Sequence, residues 1–372
     1  MKKTRVWWSV VVAIGFGCGT APDQNAPVAS TPVAGPRYAS HFHVQHRADG
    51  SQLLLVFGDR MDTVARYHVV SRGSSTTAIA GAVRLAVPLE RVAVASTTHI
   101  PFFTALGKAD VLTGVAHANE VRDGMVRERM RKGEVVDIGN AQGLDRERVL
   151  LLAPEAVFTY PFGGGLDPLP GVRHIPMVQV AEYLEQDPLG RAEWLRFFGL
   201  LLGKSREADS LFAQVVERYE RVRSEAPSGQ RPKVFFGSSW QGEWSVPSGD
   251  SHMARLIADA GGDYLFAQEH ATGNIPLPRE QVITYGMQAG CWGRLLAQDA
   301  PVSLLDVAGG DARMLTLPVF QSGVIFQCNS VTSDIFGRAA LEPDVMLQDL
   351  RCILFPQQCS GHAPVYFQRV FQ

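Results

Sequence analysis

Residues 205–226 read SREADSLFAQVVERYERVRSEA, and this stretch decides the predicted fold. Its apolar residues recur at steps of three and four, so they share one stripe of a helix opposite the arginines and glutamates. They are Ala208, Leu211, Phe212, Val215, Val216, Tyr219 and Val222. Ser205 is a suitable N-cap and Pro227 cannot continue a helix, so about 22 residues span about 33 Å. We expect this helix to join two lobes, although a surface helix of a single domain gives the same pattern.

The composition fits a globular protein large enough for two hydrophobic cores. Of 372 residues, 46% are hydrophobic and 19% are charged. A formal net charge of -2 gives no bulk attraction to nucleic acid or to an anionic membrane surface. We therefore expect a ligand that is recognised locally and no nucleic-acid partner.

The first 18 residues have the outline of an export signal. A basic start at 2–5 precedes a short apolar run at 6–16, and Cys18 follows a glycine. This ending resembles a bacterial lipoprotein signal, so we expect lipidation of Cys18 and a periplasmic or cell-envelope location, with membrane contact through the lipid only. Gly15 replaces the usual leucine, so plain secretion stays an alternative. Residues 19–37, rich in Pro, Ala, Ser and Thr, predict a flexible tether.

Export permits disulfide bonds, and an even number of cysteines remains once Cys18 is set aside. These four cysteines allow three connectivities, and they are Cys291, Cys328, Cys352 and Cys359. We favour Cys352 with Cys359, which closes a short loop around Pro356. Buried free thiols are the alternative for some of them.

Short apolar strands alternate with helices on both sides of residues 205–226. In the first half, strands at 91–95, 111–115, 135–138 and 156–159 predict a parallel sheet within an α/β lobe of residues 38–204. Ligands collect at the carboxyl ends of such strands, which places 96–99, His117 and 160–164 on one rim. Strands near 234–237 and 323–327 predict a second α/β lobe over 227–372.

An extended segment precedes the first parallel strand, with strands at 53–57 and 67–70. It carries His41, His43 and His46, and alternating imidazoles on a strand can face one metal ion. Because no nearby cysteine or carboxylate completes a ligand set, we expect an ordinary surface strand.

Four segments are more specific than the general pattern of strands and helices: GLDRERVLLLAPEAV at 143–157, VPSGDSHMA at 246–254 with AGGDY at 260–264, PLPREQV at 276–282, and EPDVMLQDL at 342–350. In this order they resemble segments of the substrate-binding proteins of iron–siderophore, haem and cobalamin ABC importers. The resemblance implies an α/β fold of two lobes with central parallel sheets, joined by a single long interdomain helix. It also implies a metal chelate as transported ligand, an ABC permease of the inner membrane as partner, and no cofactor of the protein's own.

In that family one glutamate on each lobe docks against arginines of the permease. The matching residues are Glu147 and Glu280. A carboxylate can bind an arginine fork bidentately, so two separated carboxylates provide two charge-assisted anchors. Alternatively, both glutamates merely favour helix N-termini through the macrodipole.

Aromatic and basic residues on the predicted rims are candidates for ligand contact. Aromatic rings stack on planar groups, and basic groups pair with anionic chelates. The candidates are Tyr160 and Phe162 from the first lobe, Trp240 and Trp244 from the second, and His99 and His117. Each is equally compatible with a place in the core, and Trp240 is favoured because it follows a strand end among Gly and Ser.

The sequence lacks three common signatures of catalysis. It has no Walker phosphate loop, no G-x-S-x-G elbow and no CxxC, so we expect no enzyme and no resident metal. Two alternatives stay open: a zinc or manganese ion carrier that starts from His99 and His117, and a chelatase-type enzyme on a similar fold.

Overall fold

Two sheets with parallel centres dominate the computed structural model. It describes residues 35–140, 143–161, 169, 172, 174–227, 229–271, 273–299, 301–359 and 361–370. Residues 35–372 cluster as one unit by their contacts. Within the described ranges, no helix has the length and apolar character needed to span a bilayer.

The first four strands form a separate sheet at the start of the chain. They are β1 (Phe42–His46), β2 (Gln52–Phe57), β3 (Thr63–Ser71) and β4 (Val83–Val87). The first three pair antiparallel and β4 joins β3 in parallel. The two strands predicted for this segment are confirmed. His43 and His46 are exposed on β1, as expected for a surface strand, whereas His41, just before β1, is buried.

A five-stranded parallel sheet forms the N-terminal lobe. Its region contains β5 (Val92–Val94), α1 (Ile100–Ala105), β6 (Leu112–Val115), α2 (Gly124–Arg131), β7 (Val136–Asp137), the hairpin β8 (Gly139–Asn140) and β9 (Gly143–Leu144), α3 (Arg146–Leu152), β10 (Ala156–Thr159) and β11 (Met177–Gln179). The strand order is β11-β10-β5-β6-β7, all parallel. The carboxyl ends of these strands therefore share one edge, as predicted.

Two helices lie between the cores: α4 (Pro188–Leu201) and α5 (Ser205–Ser224). Along α5, Ala208 belongs to the N-terminal core, whereas Phe212, Val215 and Tyr219 belong to the C-terminal core. Helix α4 packs against α5, and its buried residues are likewise shared between the two cores. Its Leu189 and Ala192 join the C-terminal core, and five of its residues from Trp194 to Leu201 join the N-terminal core.

The single interdomain helix expected from the sequence is therefore corrected to a helical pair. Helix α4 is apolar on nearly every side, so it shows no amphipathic period. Ser205 is the first residue of α5, and its N-cap is Lys204, without a side-chain cap. The predicted serine cap is thus wrong, while the helix ends before Pro227 as expected.

Residues 37–41, which precede β1, complete this link between the lobes. Their backbone amides donate hydrogen bonds to two buried carboxylates, one on α4 and one just before it. Glu193 accepts from the amides of Arg37, Tyr38 and Ala39 at 2.7–2.9 Å. Glu185 accepts from the amides of 40 and 41 at 2.9 and 3.0 Å. We call residues 37–41 with α4 and α5 the helical connection.

A seven-stranded sheet forms the C-terminal lobe. Its elements are β12 (Lys233–Trp240), β13 (Glu243–Pro247), α6 (His252–Asp259), β14 (Asp263–Tyr264), β15 (Asn274–Leu277), α7 (Arg279–Gly286), β16 (Cys291–Leu296), α8 (Leu304–Val307), α9 (Pro318–Ser322), β17 (Val324–Asn329), α10 (Pro343–Leu354) and β18 (Gln368–Arg369). The centre, β12-β16-β17, is parallel. Ser251 caps α6 by accepting from the amide of Ala254, as predicted.

The predicted cysteine pair is confirmed, because Cys352 is bonded to Cys359 after α10. Cys291 and Cys328 are buried free thiols in β16 and β17. Burial raises the pKa of Cys291 to about 11 and that of Cys328 to about 12. Both thiols are therefore neutral at ordinary pH. Cys18 and its signal lie outside the described residues.

Candidate ligand-binding site

A cavity of about 690 Å³ lies between the two lobes. The N-terminal lobe contributes the loop after β5, the loop after β6 and Tyr160 after β10. The C-terminal lobe contributes residues between 330 and 338, after β17. The walls thus come from the carboxyl ends of parallel strands in both lobes, and of the predicted rim they include 96–98, His117 and Tyr160.

The loop after β5 presents hydroxyl groups to the cavity. Ser96 caps a short 3₁₀ turn, and its Oγ lies 2.9 Å from Thr98 Oγ1. Thr98 Oγ1 also donates to Glu182 Oε1 at 3.2 Å. Ser96, Thr97 and Thr98 all line the cavity. This wall offers donors and acceptors held in fixed positions.

His117 lies in the cavity wall at the end of β6 with a left-handed backbone, φ +56° and ψ +47°. Such a conformation is uncommon outside glycine. Its amide donates to the carbonyl of Gly139 at 2.8 Å, which fixes the backbone. Its Nδ1 lies 3.4 Å from Glu120 Oε1. His117 therefore presents an oriented imidazole to the cavity.

The second aromatic of the cavity comes from the C-terminal lobe and was not among the sequence candidates. Phe336 lines the cavity and is 56% exposed. It follows the loop after β17, within VTSDIFG. The available signal was an aromatic beyond a strand end, the same signal that selected Trp240. Tyr160 and Phe336 thus provide one aromatic from each lobe.

His99 is corrected from a cavity residue to a core residue. It is fully buried beside Phe198, with the two ring centroids 6.2 Å apart. Neither ring nitrogen has a hydrogen-bond partner among the described residues. Burial lowers the pKa of His99 to about 3. The imidazole is therefore neutral and cannot reach a ligand in the cavity.

The two tryptophan candidates differ. Trp244 is also corrected to the core: it is buried against Phe235 and Trp292, with centroids 5.8 and 5.6 Å away. Trp240 is 77% exposed at the carboxyl end of β12 and is not among the cavity residues. Its role as a ligand contact stays a prediction. Phe162 lies outside the described residues.

Buried charges lie behind the cavity wall, next to the helical connection. Burial raises the pKa of Glu182, and Arg191 on α4 opposes this effect. Arg191 Nη1 lies 3.2 Å from His252 Nε2 at the start of α6. Burial, assisted by Arg191, lowers the pKa of His252 to about 3. Polar groups thus extend from Thr98 in the cavity wall to the C-terminal lobe.

The two predicted docking glutamates occupy matching places. Glu147 is exposed in the first turn of α3, and Glu280 is exposed in the first turn of α7. Neighbouring arginines pair elsewhere: Arg148 with Asp145, and Arg279 with Asp311. Within the described ranges neither glutamate forms an ion pair. These two carboxylates, one on each lobe, are therefore exposed and open to a partner.

The alternative function, a zinc or manganese ion carrier, requires a site where several side chains bind one metal ion. Among the described residues, no group of three or more His, Cys, Asp or Glu is placed to hold a metal ion. His117 has only Glu120 beside it as a potential ligand, and His99 lies in the core.

Two α/β lobes, a helical link and a cavity lined by both lobes define a two-lobed ligand-binding protein. Comparison with known proteins makes this assignment specific. Residues 92–292, more than half of the chain, match the periplasmic binding protein family, and the chain belongs to that family. The resemblance found in the sequence is confirmed.

Similar proteins include a lipoprotein of Methanocaldococcus jannaschii, named uncharacterized lipoprotein MJ0878. It is 25% identical over 292 residues, which cover 76% of this chain and 69% of the lipoprotein. The haem-binding protein HutB of Vibrio cholerae has a similar fold, with a TM-score of 0.57 and 18% identity over 72% of this chain and 99% of HutB. The vitamin B12-binding protein BtuF of Vibrio cholerae has a TM-score of 0.51 and 17% identity, over 73% of this chain and 98% of BtuF.

Proposed function

We propose that this protein is the substrate-binding component of an ABC importer, which captures a metal chelate between its lobes and delivers it to a membrane permease. The chelate is a ferric siderophore, haem or cobalamin. The observation that carries the proposal is the cavity lined by both lobes. Its volume of about 690 Å³ is within the range of about 300–1,000 Å³ that is typical of small-molecule and cofactor sites.

The chemistry of the walls supports a large, partly planar ligand. Tyr160 and Phe336 offer aromatic faces. The walls carry charges of both signs, because two arginines and three carboxylates line the cavity: Arg122, Arg338, Glu120, Asp123 and Asp334. Hydroxyl groups of both lobes add directional hydrogen bonds. Two similar folds, HutB and BtuF, are described as binding haem and vitamin B12. Binding and release, rather than turnover of the ligand, is the activity we propose.

A screen of chelates by thermal unfolding tests the ligand class. Haemin, cyanocobalamin and ferric siderophores are added to the full chain, with free Zn²⁺ and Mn²⁺ as comparisons. A ligand at 100 times its dissociation constant should raise the free energy of unfolding by about 2.7 kcal/mol. Stabilisation by one chelate class supports the proposal. Stabilisation by the free ions alone would contradict it.

For delivery, we propose that Glu147 and Glu280 dock on arginines of the permease. Their open carboxylates, one on each lobe, support this role. Replacing both by arginine should abolish uptake of the bound chelate, while its affinity for the purified protein stays the same. The matched control is Glu217→Arg, an exposed glutamate of α5. Unchanged uptake in the double variant would rule out docking through these residues.

We further propose that the protein is anchored in the cell envelope through a lipid on Cys18. The signal-like start supports this proposal, as does a relative that is named a lipoprotein. Mass spectrometry of the protein from the membrane fraction should find the lipid on Cys18. A Cys18→Ser variant should appear in the soluble fraction. A wild-type protein without lipid would instead indicate plain secretion.

A further inference from the structure

Arg122 connects the two lobes across the cavity that the proposed function uses. Its Nη1 donates to the carbonyl of Val331 at 2.6 Å, and its Nη2 donates to the carbonyl of Ser330. Arg122 belongs to the N-terminal lobe, whereas Ser330 and Val331 follow β17 of the C-terminal lobe. All three residues line the cavity.

The residues on both sides of Arg122 are fixed in the N-terminal lobe. Val121 is buried in the N-terminal core. Asp123 caps α2, accepting from the amides of Met125 and Val126 at 3.0 and 2.9 Å. The backbone that carries the guanidinium is therefore held in place before the arginine reaches across.

The backbone of Ser330 and Val331, whose carbonyls accept from Arg122, is also held in place by hydrogen bonds. Asn329 Oδ1 accepts from the amide of Val331 at 3.0 Å, and Asn329 Nδ2 donates to the carbonyl of Gln298 at 2.7 Å. The amide of Ser330 donates to the carbonyl of Leu296 at 2.9 Å. Two carbonyls of adjacent residues thus accept from the two terminal nitrogens of one guanidinium, which carries its donors in a rigid, planar group. The contact is thus a fitted pair of charge-assisted hydrogen bonds, which are stronger than neutral ones.

The loop that Arg122 holds carries the C-terminal wall of the cavity. Between 330 and 338, seven residues line the cavity, including Phe336 and Asp334. The short helix that follows, Arg338–Leu341, packs against α1 of the other lobe. The position of this loop therefore determines both the shape of the cavity and the gap between the lobes.

We propose that Arg122 is a positioning residue that fixes the C-terminal wall of the cavity and so sets how slowly a bound ligand leaves. This role concerns the site of the proposed function, but Arg122 acts through the loop at 330–338 and not by contact with the ligand. A lysine can offer a charge but no planar pair of donors, so it should restore the role only in part.

The first arm of the test needs no ligand. Hydrogen exchange of the full-length protein is measured by mass spectrometry for wild type, Arg122→Gln, Arg122→Lys and Arg131→Gln. Arg131 is the matched control, because it is an exposed arginine of α2 whose ion pair with Glu128 stays within that helix. Exchange at 330–338 should become about tenfold faster in Arg122→Gln, less so in Arg122→Lys, and stay unchanged in Arg131→Gln.

The second arm measures ligand kinetics with whichever of haemin, cyanocobalamin or a ferric siderophore stabilises the wild type. Arg122→Gln should raise the dissociation rate about tenfold and leave the association rate within a factor of about two. If hydrogen exchange at 330–338 is unchanged in Arg122→Gln, the proposal is overturned. If the dissociation rate of this variant rises while its exchange is unchanged, Arg122 contacts the ligand itself. If no probe binds the wild type, the proposed function fails while the exchange arm still decides the role of Arg122.

Discussion

The helical connection and the cavity both use charged side chains, but they place them in opposite environments. In the helical connection, Glu185 and Glu193 are almost completely buried, and backbone amides of residues 37–41 surround them. In the cavity, Arg122 and Arg338 are exposed, although both have protein partners. A buried charge without partners is far more costly than an exposed one. Stability should therefore depend on the first region and ligand affinity on the second.

The largest effect is expected in the helical connection, from Glu193→Ala. This change removes the acceptor of three backbone amides and of Arg196, so it should lower the free energy of unfolding by about 3 to 5 kcal/mol. Urea unfolding of the purified chain measures this loss. Glu217→Ala on the exposed side of α5 is the control and should change stability by less than about 0.5 kcal/mol. A loss below about 1 kcal/mol for Glu193→Ala would remove the contrast between the two regions.

A smaller effect is expected in the cavity, from Phe336→Ala. The ring is mostly exposed in the protein, so stability should hardly change, while the affinity for the identified chelate should fall about tenfold. Titration calorimetry measures the affinity, and Trp240→Ala provides the comparison. Trp240 is an exposed aromatic that does not line the cavity, so its removal should leave affinity within about twofold. The reverse pattern would move the binding site towards the end of β12.

The third effect comes from pH, at a residue just behind the cavity wall. The pKa of His99 is about 3 in the folded protein and near 6.5 when unfolded. Because only the unfolded state gains the proton in this window, stability falls as the pH drops below about 6.5, by about 1.4 kcal/mol for each pH unit. In His99→Phe, the difference in stability between pH 7.5 and 5.5 should shrink by about 1.4 kcal/mol.

Urea unfolding at both pH values measures this difference, and His46→Gln on the exposed β1 is the control. His252 has the same direction of pKa shift, so part of the pH dependence should persist in His99→Phe. If the full pH dependence persists, His99 is not the buried neutral group that the structure shows.

The sequence identified α5 by its amphipathic period, and it identified four of the five parallel strands of the N-terminal lobe as short apolar runs. In the C-terminal lobe it identified β12 and β17 but missed the central strand β16. It also missed α4, which has no amphipathic period. A helix with apolar residues on nearly every side has no preferred face, and only its Asp187 cap, Pro188 and length marked it as a helix. The helix most deeply buried between the lobes therefore left the weaker signal.

The candidate site could be predicted only to the level of its loops. His99 and His117 each follow the end of a parallel strand, yet one faces the core and the other the cavity. The difference depends on the left-handed backbone of His117 and on packing of His99 against Phe198, which no local pattern encodes. Trp244 and Phe336 differ in the same way, because the ring of Trp244 packs in the core and that of Phe336 lines the cavity. The position of an aromatic residue after a predicted strand does not show which way its side chain points.

The segment at 37–41 has a practical consequence for protein engineering. The family match begins at residue 92, so a fragment starting there is an obvious choice for expression. Such a fragment would lose the amides that Glu185 and Glu193 bind, and two carboxylates would face a vacated apolar groove. We expect it to be insoluble. The smallest expressible piece must therefore begin before residue 37, more than fifty positions upstream of the start of the family match.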